Sequence, residues 1–330
     1  MHFKQWGSFS GALSIAVAAL ATVSGAVLAQ TNYPAKPIRL IVPFTPGGVT
    51  DTSGRIVAEQ LSRRLGQQVI VDNKPGASGN IGTQMAAAAE PDGYTLLLAY
   101  DGTMVINPHV FDKIPFNTVR DFGSVGKIGD AVLILVSSPG VAAKTLPDVI
   151  ALSKTQANGL SYGTSGTGGT PHIAGELLKQ KTGANLVHIP YKGGGQAMID
   201  VLGGSIPLVY TAIAGAIPHV KSGKLHAVAV SSAQRAKSMP EVPTFIESGI
   251  ADFNISSWVG ILAPAKTPKA ILDRLNAELN ALLADPDVRE RLNGLGIIAT
   301  PGSAESFGDQ IKHDLNRYGA VVKAAGIKAE

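Results

Sequence analysis

Beyond residue 30, short apolar runs alternate with stretches in which apolar residues return every three or four positions. The runs read as buried strands and the stretches as amphipathic helices. Ile38, Leu40 and Val42 mark a strand between Pro37 and Pro43. Ile56, Val57, Leu61 and Leu65 then share one helix face, with Thr50 or Asp51 as the expected cap and Gly66 as the stop. Gln68–Val71 is the next strand, followed by a helix around Gln84 to Ala89 and by Tyr94–Ala99, apolar enough to be covered on both faces. The pattern restarts near Phe122 to Asp130. Strands are predicted at Ala131–Val136, Leu160–Gly163, Leu186–Ile189, Ile206–Ala212, Leu225–Val230 and Trp258–Leu262. Helices are predicted over Pro147–Gln156, over Ile173–Thr182 behind a Thr170-Pro171 cap, and around Ala197, Ile199 and Leu202. Three more follow Thr267-Pro268, Asp285-Pro286 and Ser303. Strands alternating with helices predict parallel, doubly wound α/β sheets.

The turns between these elements carry the chemistry. Leu160-Ser161-Tyr162-Gly163 runs into Thr164-Ser165-Gly166-Thr167-Gly168-Gly169 and then a helix. Such a turn aims main-chain N–H groups and hydroxyls at one spot on the positive end of a helix, where an anion is stabilised. No Lys or Arg lies between Leu160 and Leu178, so amides and hydroxyls must do the binding. Similar turns follow the other strands: Phe44-Thr45-Pro46-Gly47-Gly48 with Asp51, Asn73 to Asn80, and Tyr191-Lys192-Gly193-Gly194-Gly195. Ligands of open α/β sheets sit beyond the carboxyl ends of the strands. Two sheets facing one another place these turns across one cleft, the geometry of a clamshell receptor.

Other chemistries fit less well. No Gly-Lys-Ser/Thr occurs, and Pro171 and Met198 stand where a dinucleotide fingerprint needs its third glycine. Gly163-Thr164-Ser165-Gly166-Thr167 resembles a nucleophile elbow but has Thr167 at its last glycine. The alternative function is therefore a secreted serine hydrolase with Ser165 as nucleophile, served by Asp200 or Asp252 and by His226 or His313. The seven His are dispersed, so neither metal nor cofactor is expected, and His172 reads as a turn or packing residue. Asp200 is a candidate acceptor for the solute or a solvated helix acid; Phe44, Tyr100 and Tyr210 are candidates for aromatic lining, with the core the better place for Tyr210. Lys192 adds charge to an anion site or is an exposed turn lysine.

Composition narrows the setting. The first residues read as a secretory signal peptide: Lys4, an Ala-rich apolar core from Leu13 to Val23, and Val27-Leu28-Ala29 before Gln30. With no Cys there is no disulfide, thiol ligand or lipid anchor at a new N-terminus, so a soluble periplasmic protein is expected. The formal charge of +4 drops by one when Lys4 is removed, and the basic residues form no stripe, which argues against nucleic acid.

Taken together the chain resembles the substrate-binding receptors of tripartite tricarboxylate transporters, the Bug or TctC family. The resemblance covers essentially all of the mature chain. It rests on Tyr33 to Phe44 with Pro46-Gly47-Gly48 and Asp51, and on Asn73-Lys74-Pro75-Gly76-Ala77 with Gly79 and Ile81-Gly82. Pro91-Asp92-Gly93-Tyr94-Thr95-Leu96, Tyr162 to Gly166, Pro190-Tyr191-Lys192-Gly193, Val242-Pro243-Thr244 and Trp258 with Gly260 extend it. It implies a periplasmic-binding-protein-like clamshell of two doubly wound α/β domains joined by two crossing segments. The expected division is residues 1–29 as signal peptide, 30–127 with 256–330 as domain 1, and 128–255 as domain 2.

The resemblance also implies a monomeric, non-enzymatic receptor that holds an organic carboxylate and hands it to a membrane permease or signals to a sensor. The expected contacts are Phe44, Pro46, Gly47, Gly48, Asp51, Ala77, Ser78 and Tyr100 from domain 1. Domain 2 is expected to supply Thr164, Ser165, Gly166, Thr167, Tyr191 and Asp200. Tyr100-Asp101 stands where relatives often carry small hydroxyl or glycine residues, and Gly169-Thr170 where a Ser is frequent. The first departure leaves room for an aromatic acid such as a phthalate, terephthalate included, beside di- and tricarboxylates.

Overall fold

The computed structural model describes residues 1–2, 33–47, 49–191 and 194–328. The expected signal peptide falls almost wholly outside them, as do Gly48, Lys192 and Gly193. From Tyr33 the order is β1 (Ile38–Val42), α1 (Val49–Leu65), β2 (Val69–Asn73), a 3-10 turn (Ala77–Gly79), α2 (Asn80–Ala87) and β3 (Thr95–Tyr100). A π-helical turn (Gly102–Ile106) leads into α3 (Asn107–Val110) and β4 (Phe122–Ser137). The chain continues through α4 (Leu146–Thr155), β5 (Leu160–Thr164), α5 (Thr170–Thr182), β6 (Leu186–Pro190), α6 (Gly194–Leu202), β7 (Leu208–Ala212), α7 (Ile213–Lys221) and β8 (His226–Val230). It ends with β9 (Ser256–Pro264), α8 (Lys269–Ala284), α9 (Pro286–Gly294), β10 (Ile297–Ala299) and α10 (Ala304–Ala325).

One long strand organises the sheets. The first half of β4 lies antiparallel to β9 on one edge and to β10 on the other, and its second half lies antiparallel to β7 and β8. On β9 the first sheet continues through β3, β1 and β2, the last three mutually parallel. On β7 the second sheet continues through parallel β5 and β6. The sequence pattern predicts only Ala131–Val136 as strand here; the structure has one strand from Phe122 to Ser137. Register shifts at Ser124/Gly126 and Lys127/Gly129 let it bend. The sheets are mixed rather than purely parallel, because β4 and β9 lie antiparallel to every strand they pair with, while β1–β3 and β5–β7 keep the parallel pairing that the strand–helix alternation predicts.

Each sheet is covered on both faces. In the first lobe Leu40, Val42, Leu96, Leu98 and Ile261 pack against α1 and α8 on one side. Ile41, Leu97, Trp258 and Leu262 pack against the π turn and α10 on the other. Two further clusters flank the second sheet. A buried leucine or isoleucine contributes about 1.5–3 kcal/mol, so these four layers are what holds the turns in place. Ile173 of α5 is buried in the same cluster as Trp258 of the first lobe, and so anchors the helix after the second lobe's glycine turn across the junction.

Some expected details differ. Thr50 and Asp51 do not cap α1, which begins at Val49 and takes both into its first turn. Thr170 does not cap α5: Gly169 is its N-cap, without a side-chain bond. Asp285 and Ser303 do cap α9 and α10, accepting from Asp287 N and Ser306 N. The Gly102–Ile106 turn, α3, α7 and β10 have no counterpart in the sequence reading. All five residues of the Gly102–Ile106 turn are buried, so the turn has no polar face to betray a helical period.

Candidate functional site

On the first lobe, the chain leaving β1 forms Phe44–Gly47, and a buried acid moulds it. Asp51 Oδ2 accepts from Gly47 N and from Arg55 Nε, both at 2.9 Å. Its Oδ1 accepts from Asn73 Nδ2 at 2.8 Å, and the same amide donates to Phe44 O at 3.0 Å. These bonds outweigh the cost of burial and hold the carboxyl below its usual range. Asp51 therefore shapes the turn from behind.

The second turn of this lobe is under backbone strain. Gly76, Ala77, Ser78 and Gly79 have φ of 133°, 46°, 54° and 91°, a run that persists only when its surroundings over-determine it. Thr103 Oγ1 and Asn107 Nδ2 do so, donating to Ser78 O at 2.8 and 3.1 Å. A Cβ at Gly79 would lie 2.5 Å from Thr103 Oγ1, so a side chain there would have to displace the hydroxyl that holds Ser78 O. Phe44 and Tyr100 meet edge to face at 5.5 Å beside it.

On the second lobe, β5 ends at Thr164 and the glycine turn follows. Thr164 Oγ1 donates to Gly166 O at 3.0 Å, accepts from Gly166 N at 3.3 Å, and lies 2.7 Å from His188 Nε2. Gly168 N donates to His172 Nδ1 at 3.1 Å, which assigns the proton of a neutral His172 to Nε2. The two imidazoles stack at 3.6 Å. Burial lowers His172 to about 4 and His188 to about 3, so both stay neutral at physiological pH. The Thr167 and Gly169 N–H groups have no protein acceptor among the described residues. His172 is thus a turn residue, as its sequence position suggests, and a histidine stack supports the loop.

The turns of the two lobes frame a cleft of about 610 Å³. Of the expected contacts, Phe44, Ser78, Tyr100, Ser165, Gly166 and Thr167 line it. Asp51 and Thr164 are buried behind it, while Pro46, Gly47 and Ala77 are exposed on the same turns. Tyr191 and Asp200 do not line it either: the phenol donates to Asp200 Oδ2 at 2.7 Å, so each occupies the other. Gly48 lies outside the described residues. Thr103, Asn107, Thr211 and Ser257 line the cleft without having been expected. Thr211 stands at the carboxyl end of β7, and that placement alone could have flagged it. The others come from the unforeseen turn after β3 and from β9.

No Asp, Glu, Lys, Arg or His lines the cleft among the described residues. Apolar side chains of Val49, Ala131, Leu133, Pro171 and Val259 complete its walls. A larger hollow of about 690 Å³, between α8 and α10, includes none of the glycine turns. Ser165 makes no side-chain hydrogen bond among the described residues, and the candidate partners of a nucleophile are elsewhere. Asp200 is engaged by Tyr191, Asp252 and His313 line a separate hollow, and His226 pairs with Ser137 in the sheet. Among the described residues no group of His and acids has the geometry of a metal site, and no helix is long and apolar enough to cross a membrane.

Behind the cleft wall lies Asp101, fully buried between Tyr100 and Gly102. It accepts from Ser257 Oγ at 2.6 Å and from Thr170 Oγ1 at 2.8 Å. The Thr170 hydroxyl, expected to cap α5, is thus spent on the other lobe. Burial pushes the Asp101 carboxyl up to about 7, against the pull of the two hydroxyls, and pushes the Tyr100 phenol up to about 12.

The chain matches the family described as the tripartite tricarboxylate transporter family receptor over residues 54–327. Protein BugT of Bordetella pertussis is 36% identical over 314 residues, covering 94% of this chain and 95% of its own. Rpa4515 of R. palustris, solved with adipate, is 30% identical with a TM-score of 0.80, over 90% of this chain and 99% of that one. MatC from Rhodopseudomonas palustris, solved with bound malate, is 27% identical with a TM-score of 0.76, over 88% and 100%. The family match over residues 54–327, the identity to BugT along nearly the whole of both chains and the shared fold show that the chain belongs to the tripartite tricarboxylate transporter receptor family.

Proposed function

We propose that this protein is a periplasmic receptor that captures an organic carboxylate between its two lobes and delivers it to a tripartite tricarboxylate-type permease. The observation that carries this reading is the cleft itself: amide-rich turns at strand ends of both lobes meet around 610 Å³ with no charged side chain among the described lining. An anion there is held by preorganised N–H and O–H dipoles, each charge-assisted bond contributing about 1.5–3 kcal/mol. Four or five of them, less the cost of ordering solute and protein, are enough for the roughly −8 kcal/mol of micromolar binding. The relatives solved with adipate and malate support a carboxylate as the class.

The domain reading that goes with it assigns residues 30–127 and 256–330 to one moving body and 128–255 to the other, hinged where β4 and β9 cross. The edge-to-face pair of Phe44 and Tyr100 on the cleft wall favours an acid with an aromatic or extended apolar body. Mass spectrometry of the solute that co-purifies, followed by calorimetric titration of aliphatic and aromatic acids, tests both statements. Exclusive binding of citrate-like acids refutes the aromatic preference. Ester or amide turnover lost in Ser165→Ala refutes the receptor reading in favour of a hydrolase.

A further inference from the structure

An anion entering this cleft meets no countercharge among the described lining, and the ionisable group packed directly behind the wall is itself an acid. Asp101 lies between two lining residues, Tyr100 and Gly102. One of its hydroxyl partners, Ser257, lines the cleft; the other, Thr170, lies between lining residues Gly169 and Pro171. A solute carboxylate and an ionised Asp101 would therefore face each other across a single layer of buried hydroxyls. A like charge so placed disfavours the ionised form and raises the pKa of the acid that faces it.

We propose that solute binding is coupled to the uptake of one proton by Asp101, so that the acid behind the wall is neutralised as the anion arrives. The proton comes from solvent and remains on the Asp101 carboxyl. Protonation also reverses one hydrogen bond. The carboxyl becomes a donor to Ser257 Oγ, and the Ser257 hydroxyl is released to donate into the cleft, towards the solute. A relay of this kind strengthens both bonds. Neutralisation thus supplies a hydrogen-bond donor as well as removing a repulsion.

The surroundings leave Asp101 as the group that responds. From β3, the Tyr100 phenol is raised to about 12 and stays protonated. From α5, His172 is held neutral by burial. From α10, Tyr318 is raised well above its ordinary value, and Asp314, itself raised by burial, is bonded by Trp258 Nε1 and Gln310 Nε2, with Arg317 and His313 beside it. Asp314 adds to the upward push on Asp101. From β4, Asp130 is paired with Lys127 at 2.8 Å. Without solute, Asp101 already titrates near neutrality, so its proton is available at little cost.

The inference rests on the carboxylate-receptor reading of the cleft, and one set of titrations separates the two. Adipate and terephthalate, whose carboxyls are ionised throughout, are titrated by calorimetry from pH 6.5 to 9 in buffers of different ionisation enthalpy. The expected Kd is level up to about pH 7 and then rises up to tenfold per pH unit, with close to one proton taken up per solute at pH 8.5. Asp101→Asn is expected to flatten the profile and abolish the buffer dependence. Thr170→Val removes one bond to the carboxylate, raises its pKa and moves the bend to higher pH, a readout that does not depend on the Asn variant folding. A level wild-type profile without proton uptake, or an Asp101→Asn profile that keeps its slope, overturns the coupling alone. A protein that binds no aliphatic or aromatic acid at any pH overturns the receptor reading and the coupling with it.

Discussion

Thr170 Oγ1 donates to Asp101 Oδ2 at 2.8 Å, tying the first turn of α5 in one lobe to the residue after β3 in the other. The carboxyl at this junction has no cation paired with it among the described residues. Its folded pKa of about 7 stands above the unfolded value. The unfolded chain therefore gives up this proton first as pH rises. Stability from this group is greatest below about pH 4, falls as pH rises towards 7 and is level above. Asp101→Asn should gain on wild type across that window, by about 1.4 kcal/mol for each tenfold difference in proton affinity between the folded and unfolded carboxyl. Urea unfolding at pH 4.5, 6 and 8 checks it; a constant difference between the two proteins would count against it.

The histidine stack works in the opposite sense. His172 and His188 titrate near 4 and 3 in the folded protein, below the unfolded value near 6.5. Their contribution is fully present above pH 6.5 and is lost as pH falls through 6.5 towards 4, because the unfolded chain binds protons that the folded one refuses. His188→Phe keeps a ring in the stack and should reduce this acid sensitivity. Circular dichroism followed down from pH 7 to 4 reads the difference, and an unchanged acid midpoint would contradict it.

Asp51 touches no part of the cleft yet should control it. Asp51→Ala leaves Gly47 N without its acceptor, leaves Asn73 Nδ2 with Phe44 O alone and releases Arg55, at a cost of about 1–3 kcal/mol in stability. Solute affinity should fall about tenfold or more, since the Phe44–Gly47 turn loses its mould. Denaturant unfolding and calorimetry on one preparation measure both. Unaltered affinity in a destabilised variant would show that the turn takes no part in binding.

Gly168 has φ of 75°, and a Cβ on it would lie 3.1 Å from Val110 Cγ1 of the first lobe. Gly168→Ala incurs about 1–2 kcal/mol of left-handed backbone strain and a contact that pushes the lobes apart. Weaker solute binding is expected, with a more open average shape in small-angle scattering. Affinity and scattering identical to wild type would argue that the lobes do not meet at this turn.

Thr167 lines the cleft on the second lobe, and its N–H has no protein acceptor among the described residues. Thr167→Asp sets a fixed negative charge beside the solute's own. Affinity should drop at least a hundredfold while the melting temperature moves little, because Thr167 is half exposed on a turn. Retained carboxylate binding would remove this turn from the site.

The sequence by itself determines the repeating unit of strand, glycine turn and helix, because hydrophobic period and turn residues are local properties of the chain. It thereby determines where the glycine turns occur and which family the chain resembles. Hydrogen-bond partners were not legible. Asp51 and Thr164 look like ligand contacts from their neighbours in sequence, and only the packed lobes show their oxygens committed to Gly47, Asn73, Gly166 and His188. The turn carrying Thr103 was hidden by uniform burial, and only the apolar second half of β4, Ala131–Val136, stood out as strand because Gly123, Gly126 and Gly129 interrupt the first half. The Asp101–Thr170 bond joins residues 69 positions apart. No periodicity encodes a contact of that kind; it forms only where burying Ile173 against the first lobe brings the start of α5 to the end of β3.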